Sequence, residues 1–324
     1  MRPVKLAILG ATGMVGQTTL TVLEEWGVPL TTLDLYASAS SAGRFMKFHG
    51  KEIPVQELTN PIDAEYAVLA LSAELSKEIA PALANRGIHV IDHSSAHRMD
   101  SQVPLVIPEI NGETLRNGAK LVANPNCSAS IILMALAPIE RAIGIKRVIL
   151  STYQSVSGAG AAACEELKLQ KTDDDCPPKL FPHRIAGNVI PEIGALDTSG
   201  YTGEETKISL EIRKILNRPD LHVTATSVRV PVEVGHAASV SIELKQRTDI
   251  ETITGHLRSF AGLNCDGENY STPLEIAGKQ DVHVGRVRLD PQNSLWLHFW
   301  VVGDNLRKGA ASNAVQILKY WATL

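Results

Sequence analysis

The first 126 residues alternate short apolar runs with amphipathic stretches, and few folds accommodate such a pattern. Helical periodicity occupies residues 14–26 and 74–86. The apolar runs, which we interpret as strands, are 4–9, 31–37, 66–71, 88–91 and 120–123. Strands that alternate with helices are typical of a parallel sheet covered by helices on both faces. The sequence therefore predicts an α/β, doubly wound, Rossmann-type domain over residues 1–126.

The pattern changes after residue 126, and at 324 residues the chain is long enough for a second domain. One helix is predicted at 128–141, followed by longer strand-like runs at 146–155, 222–230, 237–245, 283–289 and 294–302. Long strands with few helices between them favour a mixed, largely antiparallel sheet, so we expect an α+β domain over residues 127–304. Apolar residues at helical spacing predict a final helix within 305–324 that packs back on the first domain.

Charge and composition exclude several classes of protein. A formal net charge of -4 argues against a nucleic-acid or anionic-membrane partner. No apolar run approaches the roughly 18 to 20 residues of a membrane span, and the first residues lack a secretory signal pattern. Four cysteines without a CxxC pair argue against a disulfide framework and a clustered zinc site. We therefore expect a reduced, cytoplasmic protein without a metal site.

A glycine-rich turn, GATGMVG at 10–16, joins the first strand directly to the first helix. Glycine permits a tight turn and the close approach of a pyrophosphate, and the helix N-terminus offers unpaired N–H groups to that anion. Any tight turn between a strand and a helix favours glycine, but this context favours dinucleotide binding. The candidate cofactor-binding residues are Gly10, Thr12, Gly13, Met14, Val15 and Gly16.

The loop after the second predicted strand bears on the choice between NADP and NAD. An NAD site usually presents Asp or Glu there, whereas this chain reads SASSAGR at 38–44, and Asp34 lies too early in the strand. Hydroxyls, N–H groups and a guanidinium can hold a 2'-phosphate that a carboxylate would repel. A serine-rich loop without a ligand is the alternative. We predict NADP, held by Ser38, Ser40, Ser41 and Arg44.

Cys127 is a candidate nucleophile because of its position. It follows Asn124-Pro125-Asn126, and Pro125 disfavours helical geometry at Asn124, so the next helix is expected to begin near Cys127. The helix dipole and free N–H groups at such a point lower a thiol pKa and can hold an oxyanion. A buried cysteine that packs as a small hydrophobe is an equally good interpretation of position alone.

A thiolate nucleophile needs a proton carrier, and histidine is the residue that titrates near neutral pH. Among ten histidines, His236 stands out because RVPVEVGH at 229–236 places Arg229 and His236 on either side of a proline and glycine turn between two predicted strands. Such a turn can direct both side chains into one cleft. An exposed arginine and an exposed loop histidine fit the same residues equally well.

Together, five motifs resemble the aspartate-semialdehyde dehydrogenase family: GATGMVG, NPNCS around Cys127, TYQSVSGAG at 152–160, RVPVEVGH and DNLRKGAASNAVQI near the C-terminus. They follow the family's order between Val4 and about Leu318. The resemblance implies NADPH-dependent conversion of L-aspartyl 4-phosphate to L-aspartate 4-semialdehyde and phosphate through a Cys127 thioester. The reaction belongs to lysine, threonine, methionine and diaminopimelate biosynthesis. A homodimer formed through the second domain, or a dimer of dimers, is also implied.

The resemblance further assigns individual residues. Cys127 is the expected nucleophile, His236 the acid/base and Gln154 the residue that orients the substrate. The expected substrate contacts are Arg229 to the carboxylate, Glu204 to the ammonium, and Lys207, Arg98 and Asn126 to the phosphate. Ser157, Gly158 and Asn305 are expected at the cofactor. Glu205 stays an alternative to Glu204 as the carboxylate that meets the ammonium. Glu204 and Lys207 are three residues apart and share a helix face, and without the resemblance a solvated helix face is the ordinary interpretation of these two residues.

Some residues depart from the commonest pattern of the family. His93 and His97 replace an asparagine and an aromatic residue, which predicts an added pH dependence, and Ser40 replaces an arginine.

One alternative function is that of an N-acetyl-gamma-glutamyl-phosphate reductase, whose acetylated substrate has little use for a carboxylate partner. The other is a catalytically silent nucleotide-binding paralogue, against which the joint presence of the predicted catalytic residues argues.

Overall fold

The computed structural model describes residues 1–58 and 62–324. These residues form two compact units, one made of Met1–Pro125 with Ala310–Leu324 and the other of Asn126–Gly309. Asn126 and residues 305–309 therefore belong to the second unit, whereas the sequence boundaries placed them outside the second domain.

The described part of the first unit contains a seven-stranded sheet in the order β3-β4-β2-β1-β5-β6-β7. Its strands are β1 Val4–Leu9, β2 Leu30–Ala37, β3 Phe45–Phe48, β4 Lys51–Glu57, β5 Tyr66–Leu69, β6 His89–Asp92 and β7 Leu121–Ala123. Neighbouring strands are parallel except for β3 and β4. The predicted parallel sheet is therefore confirmed, and the antiparallel β3–β4 pair is an addition that we did not predict.

Successive side chains of a strand point to opposite faces of the sheet. Both faces of this sheet carry apolar side chains, and helices cover both of them. Leu6 and Ile8 of β1 pack with helix α1, Met14–Glu25, and with the C-terminal helix, Ser312–Trp321. Ala7 and Leu9 face the other side, where they pack with Ala80 and Leu83 of α2, Ala73–Asn85. A short helix, α3, spans Pro108–Asn111.

The second unit contains a six-stranded sheet in the order β11-β12-β13-β10-β8-β9. Its strands are β8 Ile145–Gln154, β9 His222–Arg229, β10 His236–Leu244, β11 Leu263–Cys265, β12 Val282–Leu289 and β13 Trp296–Gly303. β8 is parallel to β9 and β11 to β12, while the other neighbours are antiparallel. The predicted mixed sheet is confirmed.

Helix α4 is the central helix of the second unit. Residues 128–139 are all buried, as expected of a helix that is apolar on every side. Helix α4 spans Cys127–Ala142. The other helices of this unit are α5 Ala161–Thr172, α6 Gly203–Ile215, α7 Ile250–Arg258 and α8 Pro273–Ile276. The C-terminal helix, Ser312–Trp321, is α9. A π-helical turn, Arg307–Ala311, precedes α9. Among the described residues, no helix is both long and apolar enough to cross a membrane.

Candidate active site

Cys127 is the first residue of α4, and its side chain is partly exposed. Asn126 caps the helix: its Oδ1 accepts the N–H groups of Ser128 at 2.9 Å and Ala129 at 3.1 Å. The backbone N–H of Asn126 donates to the buried carboxylate of Glu211 at 2.6 Å. The N–H groups of Ser128 and Ala129, which we expected to be free for an oxyanion, are therefore already bonded.

Glu204 is held at the site by two amide side chains. Its Oε1 accepts from Nδ2 of Asn126 at 2.8 Å and from Nε2 of Gln154 at 3.2 Å. Gln154 is the last residue of β8 and is buried, and Glu204 lies in the first turn of α6. A strand end, a helix cap and a helix start thus bring these three polar side chains together.

The structure distinguishes Glu204 from Glu205. Glu205 is buried, and its carboxylate accepts the backbone N–H of Thr202 at 2.7 Å and that of Ser227 at 2.8 Å. The Thr202 hydroxyl accepts the N–H of Glu205 in return, which completes a capping box. Glu205 therefore serves the start of α6, and Glu204 is the carboxylate that faces Asn126 and Gln154.

Arg229, the last residue of β9, has a buried side chain. Its Nη1 donates to the carbonyl of Ser155 at 2.7 Å. Burial lowers the pKa of Arg229, while the negative charges of Cys127 and Glu204 oppose that change. Its guanidinium makes no second hydrogen bond within the described chain, so donors remain for an anionic ligand.

His236 begins β10 and is only 1% exposed. Its Nδ1 accepts the backbone N–H of Ser155 at 3.1 Å and lies 3.0 Å from the Ser155 hydroxyl. Its Nε2 is buried and has no hydrogen-bond partner among the described residues. Burial, followed by the positive charge of Arg229, lowers the pKa of His236 to about 3. The imidazole is therefore neutral at physiological pH.

Asn305, Ser157 and Gly158, predicted at the cofactor, lie beside His236. Nδ2 of Asn305 donates to the Ser157 hydroxyl at 2.9 Å, and its Oδ1 accepts the N–H of Gly235 at 2.9 Å. A β-carbon at Gly158 would lie 3.0 Å from Nε2 of His236. Ser155, which connects these residues to His236, was not among our candidates; its position directly after Gln154 was the available signal.

The predicted phosphate contacts Lys207 and Arg98 belong to different units. Lys207 is exposed on α6, one turn after Glu204, and makes no hydrogen bond or ion pair within residues 1–58 and 62–324. Arg98 belongs to the first unit, where its guanidinium donates to the carbonyls of Asn124 at 2.9 Å and His93 at 2.7 Å.

The glycine turn of the first unit is shaped by close contacts. Gly10 has a φ of +85°, and a β-carbon there would lie 2.2 Å from the carbonyl oxygen of Ala70. A β-carbon at Gly16 would lie 2.4 Å from the carbonyl oxygen of Gly10. Gly13 is the N-cap of α1, and no side chain of the described residues caps that end. The predicted residues Thr12, Gly13, Met14 and Val15 thus surround a helix start that no side chain of the described residues caps, which fits a phosphate.

The loop at 38–44 joins β2 to β3. The Ser38 and Ser40 hydroxyls are exposed and 3.0 Å apart, Ser41 is partly buried, and Arg44 is exposed. Asp34 lies within β2, where its carboxylate is 3.5 Å from the side chain of Gln56. Hydroxyls and a guanidinium without a loop carboxylate fit a 2'-phosphate.

The two unexpected histidines also belong to the first unit. Burial and the charge of Arg98 lower the pKa of His93 to about 3, so His93 adds no titration near neutral pH, contrary to our expectation. His97 is buried, and its Nε2 has no partner among the described residues.

Comparisons with known proteins agree with this architecture. The model for "Semialdehyde dehydrogenase, NAD binding domain" matches residues 5–118, and that for "Semialdehyde dehydrogenase, dimerisation domain" matches residues 136–308. An aspartate-semialdehyde dehydrogenase of Aquifex aeolicus is 44% identical, with 97% of this chain and 96% of that protein covered; one of Bacillus subtilis is 41% identical, with 98% and 96% covered. The crystal structure of aspartate semialdehyde dehydrogenase II from Vibrio cholerae, complexed with ASA, is 40% identical, with a TM-score of 0.97 and coverage of 100% and 99%. The chain therefore belongs to the aspartate-semialdehyde dehydrogenase family.

Proposed function

We propose that this protein reduces L-aspartyl 4-phosphate to L-aspartate 4-semialdehyde with NADPH and releases phosphate. One observation carries the proposal: in the second unit the charges of Cys127 and Glu204 act on the Arg229 guanidinium, and the charge of Arg229 acts on the buried imidazole of His236, so these four groups lie near one another. The reaction would serve lysine, threonine, methionine and diaminopimelate biosynthesis. Membership of the family supports this assignment.

Glu204 and Arg229 are suited to the two charged groups of an amino acid. The Glu204 carboxylate, oriented by Asn126 and Gln154, pairs with a free ammonium. The unused donors of Arg229 pair with the α-carboxylate, for which a planar guanidinium is well shaped. An acetylated amine carries no positive charge, so Glu204 favours this substrate over that of an N-acetyl-gamma-glutamyl-phosphate reductase. Lys207, Arg98 and Asn126 stay predicted phosphate contacts.

Cys127 supplies the covalent step. Its thiolate attacks the acyl carbon, the bond from that carbon to the phosphate oxygen breaks, and a thioester on Cys127 remains. When bound, NADPH supplies the hydride that reduces this thioester. The resulting thiohemiacetal expels the Cys127 thiolate as the aldehyde forms, and His236 handles the proton on the substrate oxygen.

The cofactor residues of the first unit stay as predicted from the sequence. Gly10, Thr12, Gly13, Met14, Val15 and Gly16 would hold the pyrophosphate, and Ser38, Ser40, Ser41 and Arg44 the 2'-phosphate. Ser157, Gly158 and Asn305 of the second unit are the predicted nicotinamide contacts. The match of residues 5–118 to an NAD-binding domain supports a dinucleotide, and the loop without a carboxylate supports NADP.

We further propose a homodimer, or a dimer of dimers, in the cytoplasm. The match of residues 136–308 to a dimerisation domain supports association through the second unit.

The decisive assay uses purified protein with L-aspartate 4-semialdehyde and phosphate, run in parallel with NADP and NAD. We expect phosphate-dependent reduction of NADP, with a lower rate for NAD. N-acetyl-L-glutamate 5-semialdehyde is the matched control substrate and should react poorly. Faster turnover of the acetylated aldehyde would show that the reductase alternative is correct, and no turnover of either would favour a silent paralogue.

A further inference from the structure

Ser155 is in contact with two residues of the candidate active site at once. It follows β8, and its side chain is fully buried. Its N–H lies 3.1 Å and its hydroxyl 3.0 Å from Nδ1 of His236, while its carbonyl accepts Nη1 of Arg229 at 2.7 Å. Ser155 thus determines the surroundings of both the imidazole and the guanidinium.

The contact from the Ser155 backbone determines which nitrogen of His236 carries the proton. A backbone N–H can only donate, so Nδ1 of His236 must present its lone pair. A neutral imidazole has one N–H, which therefore lies on Nε2. The burial that keeps His236 neutral also makes the alternative, an imidazolium with a proton on Nδ1, unfavourable.

A chain of buried polar groups reinforces this assignment. Oδ1 of Asn305 accepts the N–H of Gly235, so its Nδ2 is the atom that donates to the Ser157 hydroxyl at 2.9 Å. The Ser157 and Ser155 hydroxyls are 3.1 Å apart. The Asn305 amide can thus donate to the Ser157 hydroxyl, that hydroxyl to the Ser155 hydroxyl, and the Ser155 hydroxyl to Nδ1 of His236. The Ser155 hydroxyl also reaches Oδ1 of Asn305 at 3.1 Å, but its N–H remains on Nδ1 whichever acceptor the hydroxyl selects.

The site also needs a donor for a substrate oxygen. The N–H groups of Ser128 and Ala129 are bonded to Asn126, and Gln154 donates to Glu204 and to Thr152. Nε2 of His236, in contrast, is buried without a partner among the described residues. An Nε2–H group at this point is a preorganised donor for an oxygen that becomes negative in the reaction.

We propose that Ser155 is a positioning residue that, with Ser157 and Asn305, holds His236 as the Nε2–H tautomer. His236 then presents Nε2–H as a donor to the substrate oxygen. At each tetrahedral stage Nε2–H donates a hydrogen bond to the oxyanion and keeps its proton, since losing it would leave a buried imidazolate, so His236 transfers no net proton or electron. The step at the substrate rests on the proposed function, whereas the tautomer does not.

Nitrogen NMR of protein labelled with ¹⁵N-histidine tests the tautomer without any turnover. His236→Asn identifies the His236 signals by their loss. At neutral pH we expect a pyridine-type Nδ1 and a pyrrole-type Nε2. The reverse pattern, or an imidazolium, would overturn the proposal. Because the wild-type spectrum alone decides the tautomer, this test is valid even where a Ser155 variant does not fold.

Ser155→Ala tests the positioning role. We expect the Nδ1 signal of His236 to shift and kcat to fall by about tenfold or more, since a misplaced oxyanion donor costs rate. KM should change little, because the backbone carbonyl that holds Arg229 is retained. Ser241→Ala is the matched control: the Ser241 hydroxyl lies 2.8 Å from Nδ1 of His298 in the same sheet, and its loss should leave the His236 signals and kcat unchanged.

The outcomes separate the two proposals. Unchanged His236 signals and unchanged kcat in Ser155→Ala would reject the positioning role. A wild-type protein with the expected tautomer but no dehydrogenase activity would reject the proposed function and support the tautomer.

Discussion

A β-carbon at position 158 would lie 3.0 Å from Nε2 of His236, so a side chain there would press against the imidazole. The same atom would lie 3.1 Å from Nη1 of Arg229. Both neighbours are buried and cannot move away freely. Glycine at 158 is therefore favoured by the geometry of two site residues, since both would have to shift to admit a β-carbon.

Gly158→Ala should displace the imidazole. We expect a loss of about 1–3 kcal/mol in the free energy of unfolding from overpacking, and a fall of about tenfold or more in kcat because the donor is misplaced. Gly255→Ala in α7 is the control, since a β-carbon there meets nothing within 4 Å. Steady-state kinetics and urea unfolding provide the readout; wild-type kcat in Gly158→Ala would contradict the prediction.

Asn126 has two separable tasks, the cap of α4 and the contact with Glu204. Asn126→Ala should lower the free energy of unfolding by about 0.5–2 kcal/mol and also reduce turnover. Asn126→Ser should regain most of the stability, because serine caps well, but not the turnover, because the donor to Glu204 is missing.

Asp249→Ala controls for a simple loss of capping. Asp249 caps α7 by accepting the N–H of Thr252 at 2.7 Å, and its loss should reduce stability without reducing kcat. Wild-type turnover in Asn126→Ser would show that the Glu204 contact is unimportant.

The glycine turn provides a graded test of packing. A β-carbon at Gly16 would lie 2.4 Å from a backbone oxygen, whereas one at Gly13 would lie 3.4 Å from that same atom. Gly16→Ala should therefore destabilise the protein by about 1–3 kcal/mol, and Gly13→Ala by clearly less. Thermal unfolding of the two variants measures the difference, and equal losses would contradict the close packing of β1 against α1.

His236 also makes stability depend on pH. Below pH 6.5 the unfolded chain protonates this imidazole, whereas the folded protein does so only near pH 3. The unfolded state then binds more protons, so the free energy of unfolding falls as the pH falls. The fall is about 1.4 kcal/mol per pH unit for each additional proton that the unfolded state binds. Urea titrations at several values between pH 7 and pH 4 should show a shallower dependence for His236→Asn. Equal slopes would mean that His236 is not buried as described.

Much of the fold was predictable because its signals are local. The alternation of strand and helix and the glycine turn at Gly10 are set by neighbouring residues, and the sheet topology agrees with them. The β3–β4 pair was missed since its strands are short and mostly exposed, and Pro54 argues against a strand. α5 was missed because its sequence, AAACEELKLQKT, has a weak apolar face.

The site was predictable only in part. The motifs predict Cys127, Arg229 and His236 as site residues, but the contact of Ser155 with His236 depends on the pairing of β8 with β10, which brings residues 81 positions apart together. No local pattern reports such a register. The capping role of Glu205 was, in contrast, within reach, since Thr202 three residues before Glu205 is the pattern of a capping box.

The most direct test of the account is mass spectrometry of protein incubated with L-aspartate 4-semialdehyde and NADP without phosphate. The aldehyde adds to the thiol of Cys127, and oxidation of the adduct by NADP leaves a thioester on Cys127. This thioester remains because no phosphate is present to attack it. We expect one aspartyl group on the peptide that contains Cys127 and none in Cys127→Ala, which should also lose phosphate-dependent turnover. An aspartyl group on Cys164, Cys176 or Cys265, or undiminished turnover by Cys127→Ala, would contradict the account.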